Sequence, residues 1–312
     1  MSTRLFGLTL ALALGGLVST PVAAVAQLDQ TAAWASHVSN EYRVVPNVTY
    51  HVANGFENRV DLYLPRNATG ATPVLMYIHG GGWVGGSKEA NVLRLLPWLQ
   101  KGWAVVNVQY RLGRVSRAPA AVEDCLCALH WVKRNADEYG FDASRIVVTG
   151  NSAGGHLSLT TGMAPASAGL DLECQPRGEL GVAAIINWYG ITDVGDLLQG
   201  ENEKSYAVRW MGSLADRLDV ARRVSPLSYV RSGLPPVLTI HGDADRIVPH
   251  QHAVRLHQEL TGAGVANKLH TVPGGGHGGF SREETIAIFE TIQGFLAEHG
   301  LGGGPASSQD QP

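Results

Sequence analysis

The chain has 312 residues, with 24 Lys and Arg against 27 Asp and Glu, for a formal net charge of −3. The basic residues are scattered, so the sequence lacks the basic stripe that nucleic-acid binding requires. Apolar residues make up 45% of it, enough for one large domain with a sizeable core, and no segment reaches the ~20 apolar residues of a membrane-spanning helix.

The first 26 residues predict a cleaved signal peptide. Arg4 is followed by an apolar run from Leu5 to Leu14, and Ala24-Val25-Ala26 forms an A-x-A site ahead of Gln27. A secreted or periplasmic location is the expectation. In an oxidising compartment the three cysteines, Cys125, Cys127 and Cys174, predict one disulfide plus one free thiol. Cys125 and Cys127 sit too close on one helix to pair, so Cys174 is expected to bond to one of them.

Further along, strand patterns alternate with helical ones, which predicts βαβ units and a mostly parallel sheet. Val48–Val52 and Arg59–Leu64 flank Asn54-Gly55 and read as an antiparallel hairpin. Continuous apolar runs predict buried strands at 73–79, 104–110 and 145–149, and further strands at 182–188, 236–241 and 268–272. A helix is expected over 120–139, stopped by Gly140, with Asp142 capping the turn that follows. Others are expected over 251–262 and 281–299. Residues 190–234 read as a small lid-like insertion, residues 27–300 as one domain, and 301–312 as a disordered tail.

The chemistry is announced by Gly150-Asn151-Ser152-Ala153-Gly154, directly after an apolar strand. A G-x-S-x-G turn between strand and helix exposes the serine hydroxyl at the strand's end. Such a serine needs a base, and the base needs an orienting carboxylate. In chain order the candidates are Asp245, after the strand ending at His241, and His277, in the loop Gly274–Phe280. Asp243 is the alternative acid, with Asp245 then capping a turn. His79, His156, His241 and His270 also lie near strand ends or the elbow, where a histidine is more commonly structural. The glycine loop of His79-Gly80-Gly81-Gly82-Trp83 follows an early strand and suits backbone amides that hold a tetrahedral oxyanion.

These motifs resemble the α/β-hydrolase superfamily. Within it they are similar to bacterial esterases like hormone-sensitive lipase, through H-G-G-G at His79–Gly82. They also resemble secreted carbohydrate-ester esterases of the feruloyl and acetylxylan type, through the G-N-S-A-G-G elbow and the H-G-D-A-D loop. The resemblance spans about Val48 to Glu298. It implies an α/β-hydrolase fold with a mostly parallel sheet, an N-terminal antiparallel hairpin and helices on both faces. It further implies oxyanion donors at the Gly81, Gly82 and Ala153 amides, and a structural His79 that holds the glycine loop. The large N-terminal cap of lipase-like members is missing here, so a more open pocket is expected.

The expected activity is hydrolysis of a small-molecule or carbohydrate ester through an acyl-enzyme. The alternatives are a serine peptidase acting on short peptides and, less favoured because all three triad residues are present, a non-catalytic binding module. Kinetically, a histidine base must be neutral to accept a proton, so activity should fall on acidification near the ordinary histidine value of about 6.5. No cofactor is expected, and no metal, since neither H-E-x-x-H nor EF-hand spacing occurs. Trp83, Trp188, Tyr189, Tyr206 and Trp210 are candidate substrate-facing aromatics, and Asp193 is either pocket-lining or a cap.

Overall fold

The computed structural model describes residues 22–174, 180–213 and 215–302. The expected signal segment lies mostly outside these residues; Ala24–Ala26 falls within helix α1 (Val22–Glu41). Among the described residues, no helix is long and apolar enough to cross a membrane.

Among the described residues, eight strands form one sheet in the order β1-β2-β4-β3-β5-β6-β7-β8. They are β1 (Tyr42–Ala53), β2 (Phe56–Pro65), β3 (Thr72–Ile78), β4 (Ala104–Val108), β5 (Phe141–Asn151), β6 (Ala184–Trp188), β7 (Val237–Gly242) and β8 (Asn267–Val272). The hairpin β1–β2 and the β2–β4 pair are antiparallel, and every other pairing is parallel. Asn54 and Gly55 both take positive φ, 51° and 78°, the backbone of a two-residue hairpin turn. Strand β1 begins at Tyr42, six residues before the expected start at Val48, and carries Pro46 across a register shift. Pro lacks a ladder donor and is tolerated on such an edge strand.

The helices are α2 (Leu96–Gln100), α3 (Ala120–Arg134), α4 (Ala136–Tyr139), α5 (Ala153–Met163), α6 (Ser205–Met211), α7 (Arg217–Arg223), α8 (Gln251–Gly262) and α9 (Arg282–Glu298). The single helix expected over 120–139 is broken at Asn135, whose side-chain amide donates to the Trp131 carbonyl at 2.7 Å. A side chain that competes for backbone acceptors in this way ends helices. Gly140 then takes the left-handed conformation as the stop, and Asp142 Oδ1 accepts from the Ser144 amide at 3.0 Å. A capping box of Ser281 and Glu284 fixes the start of α9.

Side chains alternate across the sheet. Met76, Ile78 and Val148 join the core with Leu126, Leu129 and Leu157 of α3 and α5, while Tyr77 and Thr149 face Phe289 of α9 and Trp98 of α2. Cys127 pairs with Cys174, and Cys125 is free and buried. Residues two apart on a helix point ~200° apart, so only one of the two thiols can face Cys174. Residues 190–234 form short helical pieces anchored in the core, with Leu197, Trp210 and Met211 fully buried. The tail expected from 301 opens with a packed residue: Leu301 is buried and its amide donates to the Leu296 carbonyl at 2.7 Å. The remainder of that tail, from 303, lies outside the described residues.

Candidate active site

Strand β5 ends at Asn151, and Ser152 turns the chain into α5 with φ 57° and ψ −121°. A non-glycine residue in this region is strained by about 1–3 kcal/mol and persists only where the surroundings hold it. They do so here. The Ser152 amide donates to the Trp188 carbonyl at 2.9 Å, and a Cβ at Gly154 would meet the Ile78 carbonyl oxygen at 2.1 Å. Only glycine lets the elbow press onto β3 this closely.

Two further loops converge on the serine. His277 Nε2 accepts from Ser152 Oγ at 2.8 Å, and His277 Nδ1 donates to Asp245 Oδ2 at 2.6 Å. The loops carrying these residues are joined backbone to backbone, with Ala244 N on the Gly275 carbonyl at 3.0 Å. Asp243 does not reach His277; it is exposed, and its Oδ1 accepts from the Gly274 amide at 2.6 Å. Its part is therefore to join the loops.

Asp245 is held by four donors. Its Oδ1 accepts from the amides of Ile247 and Val248 at 2.7 and 3.0 Å. Its Oδ2 accepts from both His277 and His241, the latter at 3.2 Å. Burial opposes ionisation, but the hydrogen bonds from His241 and His277 hold the carboxyl well below the usual carboxylate range. His241 Nε2 also faces the Val248 carbonyl at 3.0 Å. With acceptors on that nitrogen, it must carry the proton. By sequence His241 ranks with the structural histidines; its position four residues before Asp245, at the end of a buried strand, is the local signal for a second donor.

The glycine loop lies against the elbow. Gly81 and Gly82 adopt φ 120° and 59°, and a Cβ on Gly81 would collide with the Gly85 carbonyl oxygen at 2.1 Å. Among the described residues, the Gly81, Gly82 and Ala153 amides donate to no protein acceptor. His79 is fully buried, stacks on Tyr110 at 4.3 Å and donates from Nδ1 to the Gly80 carbonyl at 2.7 Å. Burial lowers its pKa to about 4, so it supports the loop as a neutral ring.

The candidate aromatics divide. Trp83 and Trp210 are fully buried and stack on each other at 4.2 Å, so they are core residues and face no substrate. Trp83 is turned inward to donate its indole N–H to His156 Nδ1 at 3.0 Å, and His156 Nε2 donates to the Val224 carbonyl at 2.7 Å. This relay joins the glycine loop, α5 and the segment after β6. Tyr189 is also buried, its ring backing His277 at 4.6 Å. Tyr206 is half-buried against Gly82, its hydroxyl donating to the Ile247 carbonyl at 3.3 Å. Trp188 is half-buried and lines a pocket of about 400 Å³ with Arg94, Asn151, Gly278, Phe280 and Phe289. Asp193 lines no part of it: Oδ1 accepts from the Asp196 amide at 3.4 Å, and Oδ2 pairs with Arg255 at 3.1 Å.

Residues 60–260 match the family model described as BD-FAE. The chain is 31% identical over 218 residues to esterase LipC of Mycobacterium tuberculosis, covering 67% of this chain and 54% of that protein. It spans about half the length of the curated relatives it first matches. Among solved structures it is similar to a truncated carbohydrate esterase from gut microbiota, at TM-score 0.68 and 27% identity over 83% of this chain and 98% of that one. It is likewise similar to Thermogutta terrifontis esterase 2 phosphoramylated by tabun, at TM-score 0.70 and 25% identity over 85% and 97% of the two chains. With this match, and with a mostly parallel sheet carrying an N-terminal antiparallel hairpin around a serine elbow, the chain belongs to the BD-FAE family of the α/β-hydrolase superfamily.

Proposed function

We propose that this protein is a serine carboxylic-ester hydrolase acting through an acyl-enzyme on short-chain acyl esters or acyl groups carried by carbohydrate. The observation that carries this reading is the line from Asp245 Oδ2 through His277 to Ser152 Oγ, with hydrogen bonds of 2.6 and 2.8 Å. Ser152 Oγ attacks the ester carbonyl carbon while His277 Nε2 takes its proton. The oxyanion is received by the Gly81, Gly82 and Ala153 amides, each such donor typically supporting about 10²–10³ in rate. On collapse the C–O bond to the alcohol breaks, and His277 returns the proton to the leaving oxygen. Water, activated by the same histidine, then releases the acid and restores Ser152.

The carbohydrate side of the proposal draws on similarity to a carbohydrate esterase from gut microbiota, and the serine side on similarity to an esterase phosphoramylated by an organophosphate. Export through the N-terminal 26 residues belongs to the same proposal and agrees with the Cys127–Cys174 disulfide. The test is hydrolysis of p-nitrophenyl acetate by the wild type and Ser152→Ala. The proposal expects a loss of about 10⁴-fold or more; a wild type inert towards short acyl esters, or an undiminished variant, overturns it.

A further inference from the structure

A pocket lined by Asn151 and Gly278, the chain neighbours of Ser152 and His277, carries a charge that ester cleavage does not require. Its location also fixes which half of the ester enters it. His277 delivers its proton to the leaving oxygen, so the alcohol half must lie on the histidine's side of the nucleophile. Gly278 follows His277 directly and Phe280 lies two residues further on, Asn151 precedes Ser152, and all three line this pocket. At about 400 Å³ it lies in the range of sites that enclose a ring-bearing ligand. Trp188, Phe280 and Phe289 give it flat apolar walls.

The polar groups of the pocket include the guanidinium of Arg94 and the side-chain amide of Asn151. Among the described residues lining it, Arg94 is the only charged one, and no carboxylate of the described residues forms an ion pair with it. Asn151 Oδ1 is already taken by the Tyr77 hydroxyl at 2.9 Å, and the Asn151 amide and the Arg94 guanidinium both lie within hydrogen-bonding reach of the Tyr189 hydroxyl, with N–H groups to spare for a ligand. The hydroxyls of Tyr77 and Tyr189 lie within the field of the Arg94 guanidinium, which opposes the rise that burial imposes on both. A guanidinium, an amide NH₂ and aromatic walls, with no acid to balance them, suit a planar or cyclic group bearing a carboxylate.

We infer that this pocket receives the alcohol half of the ester as a ring-bearing alcohol that carries a carboxylate, and that Arg94 selects for that negative charge. This rests on the ester-hydrolase reading above. Arg94 is exposed at the pocket mouth, so solvent screens its attraction and the selection should be about tenfold.

The experiment uses 4-acetoxybenzoate and its uncharged isostere 4-acetoxybenzamide, comparing kcat/KM for the two in the wild type and in Arg94→Gln. The intrinsic reactivities of the esters cancel in the comparison between proteins. The ratio of charged to uncharged ester should be about tenfold higher in the wild type, and the gap should narrow as salt is raised. An identical ratio in both proteins overturns the inference and leaves the esterase reading intact, because both esters are still cleaved. Cleavage of neither ester by the wild type overturns both.

Discussion

The Trp83 indole donates to His156 Nδ1 at 3.0 Å, fastening the glycine loop to the helix that follows Ser152. Trp83 itself sits at φ 61°, so the bond holds a strained residue beside the proposed oxyanion donors. Trp83→Phe keeps most of the ring packing against Trp210 and leaves a fully buried acceptor unpaired. A loss of about 1–3 kcal/mol in stability follows, and kcat should fall more than KM changes if, as proposed, the loop amides serve the transition state. Denaturant unfolding and steady-state kinetics on p-nitrophenyl acetate check both; an unchanged kcat would show that the loop keeps its place without this tie.

His241 supplies Asp245 with a second side-chain donor on Oδ2. His241→Leu removes a bond that helps keep this buried carboxyl ionised, so the Asp245 pKa should rise and acid inactivation should begin at a higher pH. We expect kcat/KM at neutral pH to fall about tenfold. The discriminating readout is the pH profile. A variant with lower activity and an unshifted acid limb would assign His241 to packing alone.

Gly154 lies in a helix, where Ala is ordinarily favoured by about 1 kcal/mol. Here the sign reverses, since a Cβ would sit 2.1 Å from the Ile78 carbonyl oxygen, a backbone atom with nowhere to retreat. Gly154→Ala should cost about 3 kcal/mol or more and displace the elbow. Thermal unfolding measures it, and an equal or higher Tm would contradict the close approach of α5 to β3.

These cases mark what the sequence made legible. Ser152, Asp245 and His277 could be read because each lies in a loop just past an apolar strand, and strand ends converge at one edge of a parallel sheet. The hairpin turn was readable from Asn54-Gly55, and the pairing of Cys174 was narrowed to two partners. Partners in three dimensions were not legible. Trp83, Trp210 and His156 come from separate segments, so nothing local in the sequence distinguishes a stacked core tryptophan from one facing substrate. Likewise, the break at Asn135 depends on a side chain choosing the Trp131 carbonyl over solvent, against an unbroken helical periodicity.

The disulfide joins residues 47 apart, and closing a loop of that size limits the unfolded chain by about 4 kcal/mol in the loop-entropy account. The double variant Cys127→Ala, Cys174→Ala should therefore lower Tm by about 10 °C. Scanning calorimetry of the two proteins under non-reducing conditions gives the comparison, and equal Tm values would mean that the folded state does not rely on the bridge.

Acid should destabilise the fold well before the carboxylates titrate. His79 and His156 are buried neutral rings, their pKa values lowered by burial to about 4 and about 3. Below the ordinary histidine value of about 6.5 the unfolded chain binds protons that the folded chain refuses, so stability falls with pH by up to about 1.4 kcal/mol per unit for each ring. The depressed Asp245 carboxyl acts in the same direction at lower pH: its contribution is present above about 3.9 and is lost as pH falls further. Tm should decline steadily from pH 7 to pH 4.5; a flat or rising Tm over that window would contradict neutral burial of the two rings.

The 2.8 Å hydrogen bond from Ser152 Oγ to His277 Nε2 underlies the proposal that Ser152 is a nucleophile activated by His277. Incubation with a serine-directed organophosphate, followed by intact-mass and peptide mass spectrometry, tests it most directly. A single adduct is expected on the peptide containing Ser152, absent from Ser152→Ala and formed far more slowly in His277→Ala. No adduct on the wild type, or an adduct on a different residue, would contradict it.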